Sequence, residues 1–439
     1  MSVHVNRLLL SERVLLLQGP MGSFFNRFSS WLKDHDIQCF KVNLNGGDQF
    51  FSRSFEYNFD FTGTYADFST WIEDLLLSQE IDAVVCFGDC RKYHQTAKKV
   101  ALKHRINFFA FEEGYIRPNY ITFEQDGVNF FSNFLSHLKL KTKKQKNAQA
   151  KELSEVNNSY RSMLISVMVY YVFMLLFSWK YPHYKHHRQM SIWSEIYYWI
   201  WSGVRRIKNS FVEEKRFNVF MQAYKKRYFV FALQVHNDFQ IRTHSDLKCM
   251  KKYIEMVIQD FAQHADPYHH LVLKHHPMDR GYRNYASYIR KLAKSHDVEG
   301  RVHYFCDIHL PTLLKNSLGF VAVNSTTGIQ ALYHHIPVKV LGYALYNLPK
   351  LTNQRPLAKF WRNPGKVDQV YFNYFREELI NYSQLNGAFY GDSPWMDDYD
   401  ISHIEVDVEM QQAEPYRVCR RVNILRDYSD EKTKLYPRN

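Results

Sequence analysis

Acidic residues follow two apolar runs in this chain, in a setting suited to covalent chemistry at an electrophilic carbon. Asp238 lies in FVFALQVHNDFQI (229–241), where five apolar residues precede a polar run, and Glu112 and Glu113 follow the predicted strand 107–111, in which 108–111 are apolar. Short β-rich apolar runs predict parallel strands buried on both faces. Because ligands bind at the carboxyl ends of such strands, both positions are candidates for a reactive carboxylate. Asp238 could instead cap the next helix, which the local pattern alone favours, and both roles stay open at this point.

Residues that suit phosphate follow other strands in the second half. The strand over 270–274 ends in Lys274, and Pro277 keeps the preceding His276 extended. A lysine and a histidine here could bind a phosphate or protonate a leaving phosphate, although a lone histidine is often structural. Amides and hydroxyls at two more strand ends could form an anion site, a helix cap or both. These residues are Gln234, Asn324, Ser325, Thr326, Thr327 and Gly328.

The first half of the chain carries glycine-containing loops at strand ends. Gly19 and Gly22 follow the strand over 13–18, where glycine permits either close approach of a ligand or simply a tight turn. The strand over 39–43 ends in a glycine pair that is either a turn or a site loop. The further candidates in this half are Asn45, Gly46, Gly47, Asp48, Glu113 and Arg117.

Strands and helices alternate through both halves, which predicts parallel sheets in an α/β fold. We expect two Rossmann-like domains whose strand-end loops face a cleft, the layout of a GT-B glycosyltransferase. The predicted domains are 1–135 and 216–345, with an inserted basic connector and helical segment over 136–215. The irregular tail over 346–439 is expected to pack back on the first domain.

Composition narrows the class of ligand. The chain has 439 residues, a net charge of +13, 46% hydrophobic residues and 16% aromatic residues. A basic, aromatic-rich surface suits nucleic acid, anionic lipid or phosphorylated small molecules. The basic residues form no recognisable nucleic-acid motif, so nucleic acid is not an expected partner. The six cysteines are scattered, which favours reduced thiols in a cytoplasm, and the N-terminal residues lack the shape of a signal peptide.

Two helical segments in the middle of the chain suggest contact with lipid. Residues 162–179 carry no charge, which reaches the lower limit for a membrane span. A single crossing would separate the two halves of a shared cleft, so we do not expect a span. Residues 192–201 are rich in tryptophan and tyrosine, and Arg205, Arg206 and Lys208 follow. Aromatic rings beside basic residues predict interfacial helices on anionic lipid, with an internal helical layer as the alternative.

Taken together, these loops resemble the capsule polysaccharide biosynthesis family, most closely its KpsS-type members. The motifs that carry the resemblance occur in order and span most of residues 13–345. They are QGPMGSFF (18–25), NLNGGD (43–48), CFGDCR (86–91), FEEGYIRPNYITFE (111–124), QVHNDFQI (234–241), KHHPMDRG (274–281) and NSTTGIQAL (324–332).

The resemblance implies a bacterial Kdo transferase, peripheral on the cytoplasmic face of the inner membrane. It would transfer Kdo from CMP-β-Kdo to lyso-phosphatidylglycerol, an anionic lipid, and so begin the poly-Kdo linker of a capsule. The expected partners are a KpsC-type transferase that extends the linker and the capsule export complex. The reaction would retain the anomeric configuration through a covalent Kdo–Asp adduct. No cofactor is expected, and no metal, since CMP is already a stable leaving group.

The resemblance also assigns roles to the candidate residues. Asp238 would be the nucleophile, Glu112 rather than Glu113 the base that deprotonates the acceptor, and His276 the group that helps the CMP phosphate leave. The donor CMP-sugar would be held by Lys274, Pro277, Gln234, Asn324, Ser325, Thr326, Thr327 and Gly328. The acceptor side of the cleft would contain Gly19, Gly22, Asn45, Gly46, Gly47, Asp48, Glu113 and Arg117.

Two other kinds of function fit the same sequence. One is a different nucleotide-sugar enzyme on the same layout, either an epimerase or an inverting sialyltransferase-like protein. The other is a non-catalytic scaffold that brings capsule enzymes to the membrane. A covalent adduct on Asp238 would distinguish the retaining transferase from both.

Overall fold

The computed structural model describes residues 2–141, 155–157, 159–186, 192–235, 247 and 249–399. The chain divides into two compact units, of which the first contains Met1–Gln189 and Glu377–Asn439 and the second contains Met190–Arg376. Each unit has its own largely or wholly parallel sheet. This arrangement confirms the predicted α/β class, with two Rossmann-like domains in one chain as in GT-B proteins.

The first unit contains a seven-stranded sheet. Its strands are β1 (Arg13–Leu16), β2 (Gln38–Asn43), β3 (Tyr57–Asp60), β4 (Ala83–Phe87), β5 (Asn107–Glu113), β6 (Tyr120–Gln125) and β12 (Gln384–Asn386). The strand order is β12-β6-β5-β4-β1-β2-β3. Strands β1 to β5 pair in parallel, whereas β6 runs antiparallel to β5 and β12 antiparallel to β6.

Strand β5 shows why these runs form buried strands. Phe109 and Phe111 belong to a core cluster on one face of the sheet, while Phe108 and Ala110 belong to a cluster on the other face. Alternating side chains point to opposite faces, so an uninterrupted apolar run is needed when helices cover both.

Helices of the first unit connect and cover these strands. They are α1 (Val3–Leu9), α2 (Phe24–Lys33), α3 (Gly46–Phe51), α4 (Phe68–Ser78), α5 (Lys92–Lys103), α6 (Phe134–Lys141), α7 (Tyr160–Leu176) and α15 (Pro394–Asp397). The packing of α3 against α7 matters most for the candidate site.

The second unit contains a five-stranded parallel sheet in the order β11-β10-β7-β8-β9. The strands are β7 (Tyr228–Ala232), β8 (His270–Lys274), β9 (Val302–Phe305), β10 (Gly319–Ala322) and β11 (Val338–Val340). The helices are α8 (Ile192–Tyr224), α9 (Met250–His264), α10 (Ala286–Ser295), α11 (Leu310–Lys315), α12 (Thr327–Tyr333), α13 (Leu357–Phe360) and α14 (Gln369–Ser383), which ends in the first unit.

The units divide two of the predicted segments. Within the predicted connector 136–215, α7 packs on α3 in the first unit, whereas α8 belongs to the second. Within the predicted tail 346–439, residues up to 376 belong to the second unit and β12 pairs with β6 in the first. Among the described helices, none combines the length and the apolar character needed to cross a membrane.

Candidate functional site

Glu112 lies at the carboxyl end of β5, beside the end of β4. The Gly88 N–H donates to the Phe111 carbonyl at 2.9 Å, which holds the loop after β4 against this strand end. Gly88 has a φ of +75°, a conformation that favours glycine. A Cβ added there would lie 3.8 Å from Glu112 Oε2 and 3.7 Å from Arg91 Nε. The polar ends of these two side chains therefore border the same small space.

The electrostatics of Glu112 suit a general base. Burial raises the pKa of this carboxyl to about 7, and the nearby Glu113 and Asp89 carboxylates act in the same direction. A hydrogen bond from the Glu113 N–H to Oε1, 3.0 Å long, and the Arg91 charge both lower the pKa. Proton transfer is most efficient when the catalytic pKa lies near the working pH. Glu112 can therefore accept a proton near neutral pH.

The loop after β4 supplies residues that the sequence reasoning did not select. Asp89 is buried, and its Oδ2 accepts the Val128 N–H at 3.1 Å. His94 is also buried, and burial lowers the pKa of its imidazole to about 3. The neutral ring donates from Nδ1 to the Gly88 carbonyl at 2.7 Å and so fixes the turn beside Glu112. The motif CFGDCR, at the strand end next to Glu112, was the available signal.

Glu113 and Arg117 are exposed and contact each other. Arg117 Nη2 lies 4.0 Å from Glu113 Oε2, and Arg117 Nε donates to the Gly114 carbonyl at 3.3 Å. An exposed pair at this distance contributes little to stability. The preference for Glu112 over Glu113 as a base agrees with their different environments.

The predicted site loop after β2 is packed inside the first unit. Asn45 caps α3, and its Oδ1 accepts the N–H groups of Gly47 and Asp48 at 2.8 and 3.1 Å. A Cβ at Gly46 would overlap the Phe173 carbonyl oxygen, and one at Gly47 would lie 2.7 Å from the Tyr170 carbonyl oxygen. The glycine pair therefore allows α3 and α7 to approach closely, and it does not form an exposed loop.

Asp48 is the centre of a buried hydrogen-bond network. Its Oδ2 accepts from Gln18 Nε2 at 2.8 Å and from the Leu44 N–H and Asn45 Nδ2, both at 3.1 Å. Its Oδ1 accepts from the Tyr170 hydroxyl at 2.9 Å. Four donors satisfy this carboxylate, so the geometry gives it a structural role in place of the predicted ligand contact.

Gly19 and Gly22 have packing roles in the turn after β1. A Cβ at Gly19 would lie 2.8 Å from the Phe25 ring. A Cβ at Gly22 would lie 3.3 Å from Ser166 on α7 and 3.5 Å from the Tyr390 ring. These contacts agree with the tight-turn interpretation of the sequence.

In the second unit, His276 begins the short 3-10 helix Pro277–Asp279. Its ring Nδ1 accepts the Met278 N–H at 3.2 Å, and its side chain is half-buried. A neutral imidazole that accepts through Nδ1 carries its proton on Nε2. The arrangement gives His276 a donor atom of the kind that a phosphate oxygen accepts from.

Lys274 points into the protein, contrary to its predicted contact with CMP. Its Nζ donates to the carbonyls of His275 (3.0 Å) and Cys306. Burial lowers the pKa of the ammonium group. In this geometry Lys274 ties the end of β8 to the residue after β9, so its role is structural. Pro277, by contrast, is exposed at the start of the 3-10 helix.

The ends of β7 and β10 are joined by a pair of amides. Gln234 Nε2 donates to Asn324 Oδ1 at 2.7 Å, and the Asn324 N–H donates back to Gln234 Oε1 at 3.3 Å. Ser325 Oγ donates to Thr327 Oγ1 at 3.1 Å, and the Tyr346 hydroxyl donates to the Ser325 carbonyl at 2.5 Å. The fold thus gathers polar groups at one edge of this sheet.

Two further residues of the predicted donor turn, Thr326 and Gly328, lie at the start of α12. Thr326 is the N-cap residue of α12 but makes no side-chain capping bond. Gly328 is required for packing, because a Cβ there would overlap the Tyr346 hydroxyl. Asp238, the predicted nucleophile, lies outside the described residues, so its role stays a prediction.

Comparison with known proteins finds a matching family model and similar proteins from bacteria. A family model described as capsule polysaccharide biosynthesis protein matches residues 82–390. The capsule polysaccharide modification protein LipB of Neisseria meningitidis serogroup B is 38% identical over 394 residues, covering 88% of this chain and 93% of LipB. The capsule polysaccharide export protein KpsS of Escherichia coli is 37% identical over 383 residues, covering 87% of this chain and 98% of KpsS.

Solved structures show weaker likeness. The Thermosulfurimonas dismutans KpsC, a beta Kdo 2,7 transferase, is 14% identical with a TM-score of 0.37, covering 83% of this chain and 88% of that one. A glycosyltransferase from Rickettsia africae is 9% identical with a TM-score of 0.32, covering 97% and 99%. At these scores no residue of the site can be compared.

Proposed function

Since this chain belongs to the capsule polysaccharide biosynthesis protein family, we propose that it is a retaining β-Kdo glycosyltransferase. Its donor would be CMP-β-Kdo and its acceptor lyso-phosphatidylglycerol, so that the product begins the poly-Kdo linker of a capsule. The names of the relatives, which refer to capsule modification and export, support a role in capsule assembly.

The observation that carries the proposal is the environment of Glu112. A half-buried carboxyl at a strand end, with a pKa raised to about 7 by burial, is suited to removing a proton from a hydroxyl. Gly88, whose carbonyl accepts a hydrogen bond from His94, has no side chain, so the space beside the Glu112 carboxyl contains no Cβ. Its neighbour Glu113 is exposed and has no comparable environment.

The reaction would proceed in two displacements. The Asp238 carboxylate attacks the anomeric carbon of Kdo as the bond from that carbon to the CMP phosphate oxygen breaks, and His276 donates a hydrogen bond to the departing phosphate. The acceptor hydroxyl then gives its proton to Glu112 and attacks the same carbon. The bond to Asp238 breaks, and the two inversions together give retention.

Polar groups at the strand ends of the second unit support donor binding there. Gln234, Asn324 and Ser325 present amide and hydroxyl groups at one sheet edge, and His276 follows the neighbouring strand β8. We propose no metal or other cofactor. The lipid acceptor would place the protein on the cytoplasmic face of the inner membrane, where a KpsC-type transferase extends the linker for the export complex.

The test uses purified full-length protein with CMP-Kdo and a lyso-phosphatidylglycerol analogue. We expect the acceptor to gain a single Kdo, and mass spectrometry to detect a Kdo adduct on Asp238 when the acceptor is omitted. Asp238→Asn should form neither the adduct nor the product. Absence of transfer from fresh CMP-Kdo would refute the proposal, and transfer without an adduct would refute double displacement.

A further inference from the structure

The long helix α8 has one face that is fixed to the second unit. The Tyr198 ring lies 4.7 Å from the Tyr282 ring, and Arg205 Nη1 donates to the Arg280 carbonyl at 2.6 Å. Asn209 Nδ2 donates to Asp307 Oδ2 at 2.7 Å. These helix positions are seven and four residues apart, which is about two turns and one turn, so they share one face. We call it the inner face.

Further along the inner face, Glu213 is buried and accepts backbone N–H groups. Its Oε2 lies 2.9 Å from the Cys306 nitrogen and 2.6 Å from the Asp307 nitrogen. Asp307 in turn forms an ion pair with Arg280, in the loop that follows His276. The inner face thus holds both the loop after β8 and the loop after β9.

The opposite face of α8 is apolar and exposed. Its five residues recur every three or four positions and are each between 51% and 72% exposed. We call this set the outer stripe; it consists of Tyr197, Ile200, Val204, Ile207 and Phe211. The usual amphipathic helix buries its apolar face and exposes its polar one, and over residues 197–211 α8 does the reverse. An exposed apolar patch of this kind marks an interaction surface.

The charges on α8 indicate which partner covers the stripe. Lys208 and Lys215 are exposed and lie four residues after Val204 and Phe211, so they project on the same side as the stripe. From residue 200 to residue 212 the helix contains no acidic residue, and the exposed Glu214 that follows is outnumbered by the exposed Lys215 and Arg216. Apolar and aromatic side chains interleaved with lysine fit an anionic bilayer surface, where apolar groups enter the interface and cations meet phosphate.

We propose that the outer stripe is a docking surface for anionic lipid, and that it sets the loop held by the inner face close to that surface. A helix with its side chains is about 10–12 Å across. Docking through the stripe therefore places residues 280–282 about one helix diameter from the lipid headgroups. Tyr198 and Arg205, which belong to the segment predicted to form an interfacial helix, contact this loop.

Docking on anionic lipid does not depend on the proposed function. The idea that docking brings the enzyme close to a lipid acceptor does rest on that function. The experiment measures co-sedimentation of full-length protein with vesicles of phosphatidylglycerol and phosphatidylcholine at low salt. The variant Ile207→Glu/Phe211→Glu should bind at least tenfold more weakly than the wild type. Vesicles of phosphatidylcholine alone should also bind weakly, because they lack the anionic charge.

The control is Ser210→Glu, which adds one negative charge to the same turn of α8, compared with the two that the double variant adds. Ser210 is exposed, its Oγ donates only to the Ile207 carbonyl at 2.7 Å, and it lies outside the stripe. We expect it to bind vesicles within twofold of the wild type. Circular dichroism should show equal helix content in all three proteins, since every substituted position is exposed.

Two results would overturn the inference. One is wild-type vesicle binding by the double variant. The other is a wild-type protein that does not bind vesicles but dimerises through the stripe. In that case analytical ultracentrifugation would show a dimer for the wild type and a monomer for the double variant. Transfer to a water-soluble acceptor analogue should be equal in all three proteins. Vesicle binding without any such transfer would refute the proposed function and leave the docking surface intact.

Discussion

Two loops of the first unit look alike in sequence but differ in structure. The loop after β2 reads Asn45-Gly46-Gly47-Asp48, and the loop after β4 reads Gly88-Asp89-Cys90-Arg91. Backbone atoms of α7 fill the space beside Gly46 and Gly47. Beside Gly88, the nearest atoms belong to the polar ends of Arg91 and Glu112. A glycine at a strand end therefore indicates a site only when another backbone does not occupy the space it leaves.

The variant with the largest expected effect is Glu112→Gln, which tests the site beside Gly88. Loss of the base should lower turnover by about 10²–10⁴-fold. Burial raises the pKa of Glu112 from 4.5 to about 7 in the folded state, so the free energy of unfolding falls as pH rises between these values, and the neutral glutamine should melt no lower than the wild type at pH 8. Transfer assays and thermal melts measure the two effects. Glu113→Gln is the control, and equal losses in both variants would remove Glu112 from the mechanism.

Gly46→Ala tests the packed loop. The added methyl group meets the Phe173 carbonyl, which belongs to a helix backbone and cannot easily move. We expect destabilisation of about 1–3 kcal/mol, the usual cost of overpacking. Denaturant unfolding of the first unit measures it. Gly203→Ala on α8 meets no atom within 4 Å and serves as the control. An unchanged stability would contradict the assigned role of the glycine pair.

The pH dependence of transfer sharpens the role of the loop after β4. A base with a pKa of about 7 is protonated below that value, so the rate should fall about tenfold per pH unit below pH 6 and level off above pH 8. Initial rates between pH 5.5 and 8.5 would show this limb. A rate that is constant over this range would mean that Glu112 does not titrate in the rate-limiting step.

Arg91→Met should give the smallest effect. The Arg91 charge lowers the pKa of Glu112, so its removal should raise that pKa. The low-pH fall in the transfer rate should then move to higher pH by less than about one pH unit. Arg117→Met removes an exposed arginine that pairs with Glu113, and it should leave the limb in place. A shift of equal size in both variants would point to general surface charge.

The sequence by itself determined the strands and the residues that end them. Runs such as 108–111 and 229–233 are apolar throughout because both faces of a parallel sheet are covered, and this pattern is local. Their ends, including Glu112, His276 and Gln234, follow directly. Strand β6, which lies between β12 and β5, escaped prediction, since Thr122 and Glu124 interrupt its apolar character. Both are nevertheless buried, and burial raises the pKa of Glu124 to about 8.

Only the tertiary structure decided what each of these groups contacts. Lys274 and Asp48 have the chemistry of ligand contacts, yet backbone carbonyls surround the first and four donors satisfy the second. On α8, the composition indicated an interfacial helix. Packing in the folded protein places Tyr198 and Arg205 on the inner face. The physical reason is that a sequence pattern reports only on residues close together in the chain. Burial and hydrogen bonding, by contrast, depend on residues that are far apart in sequence and meet only in the folded protein.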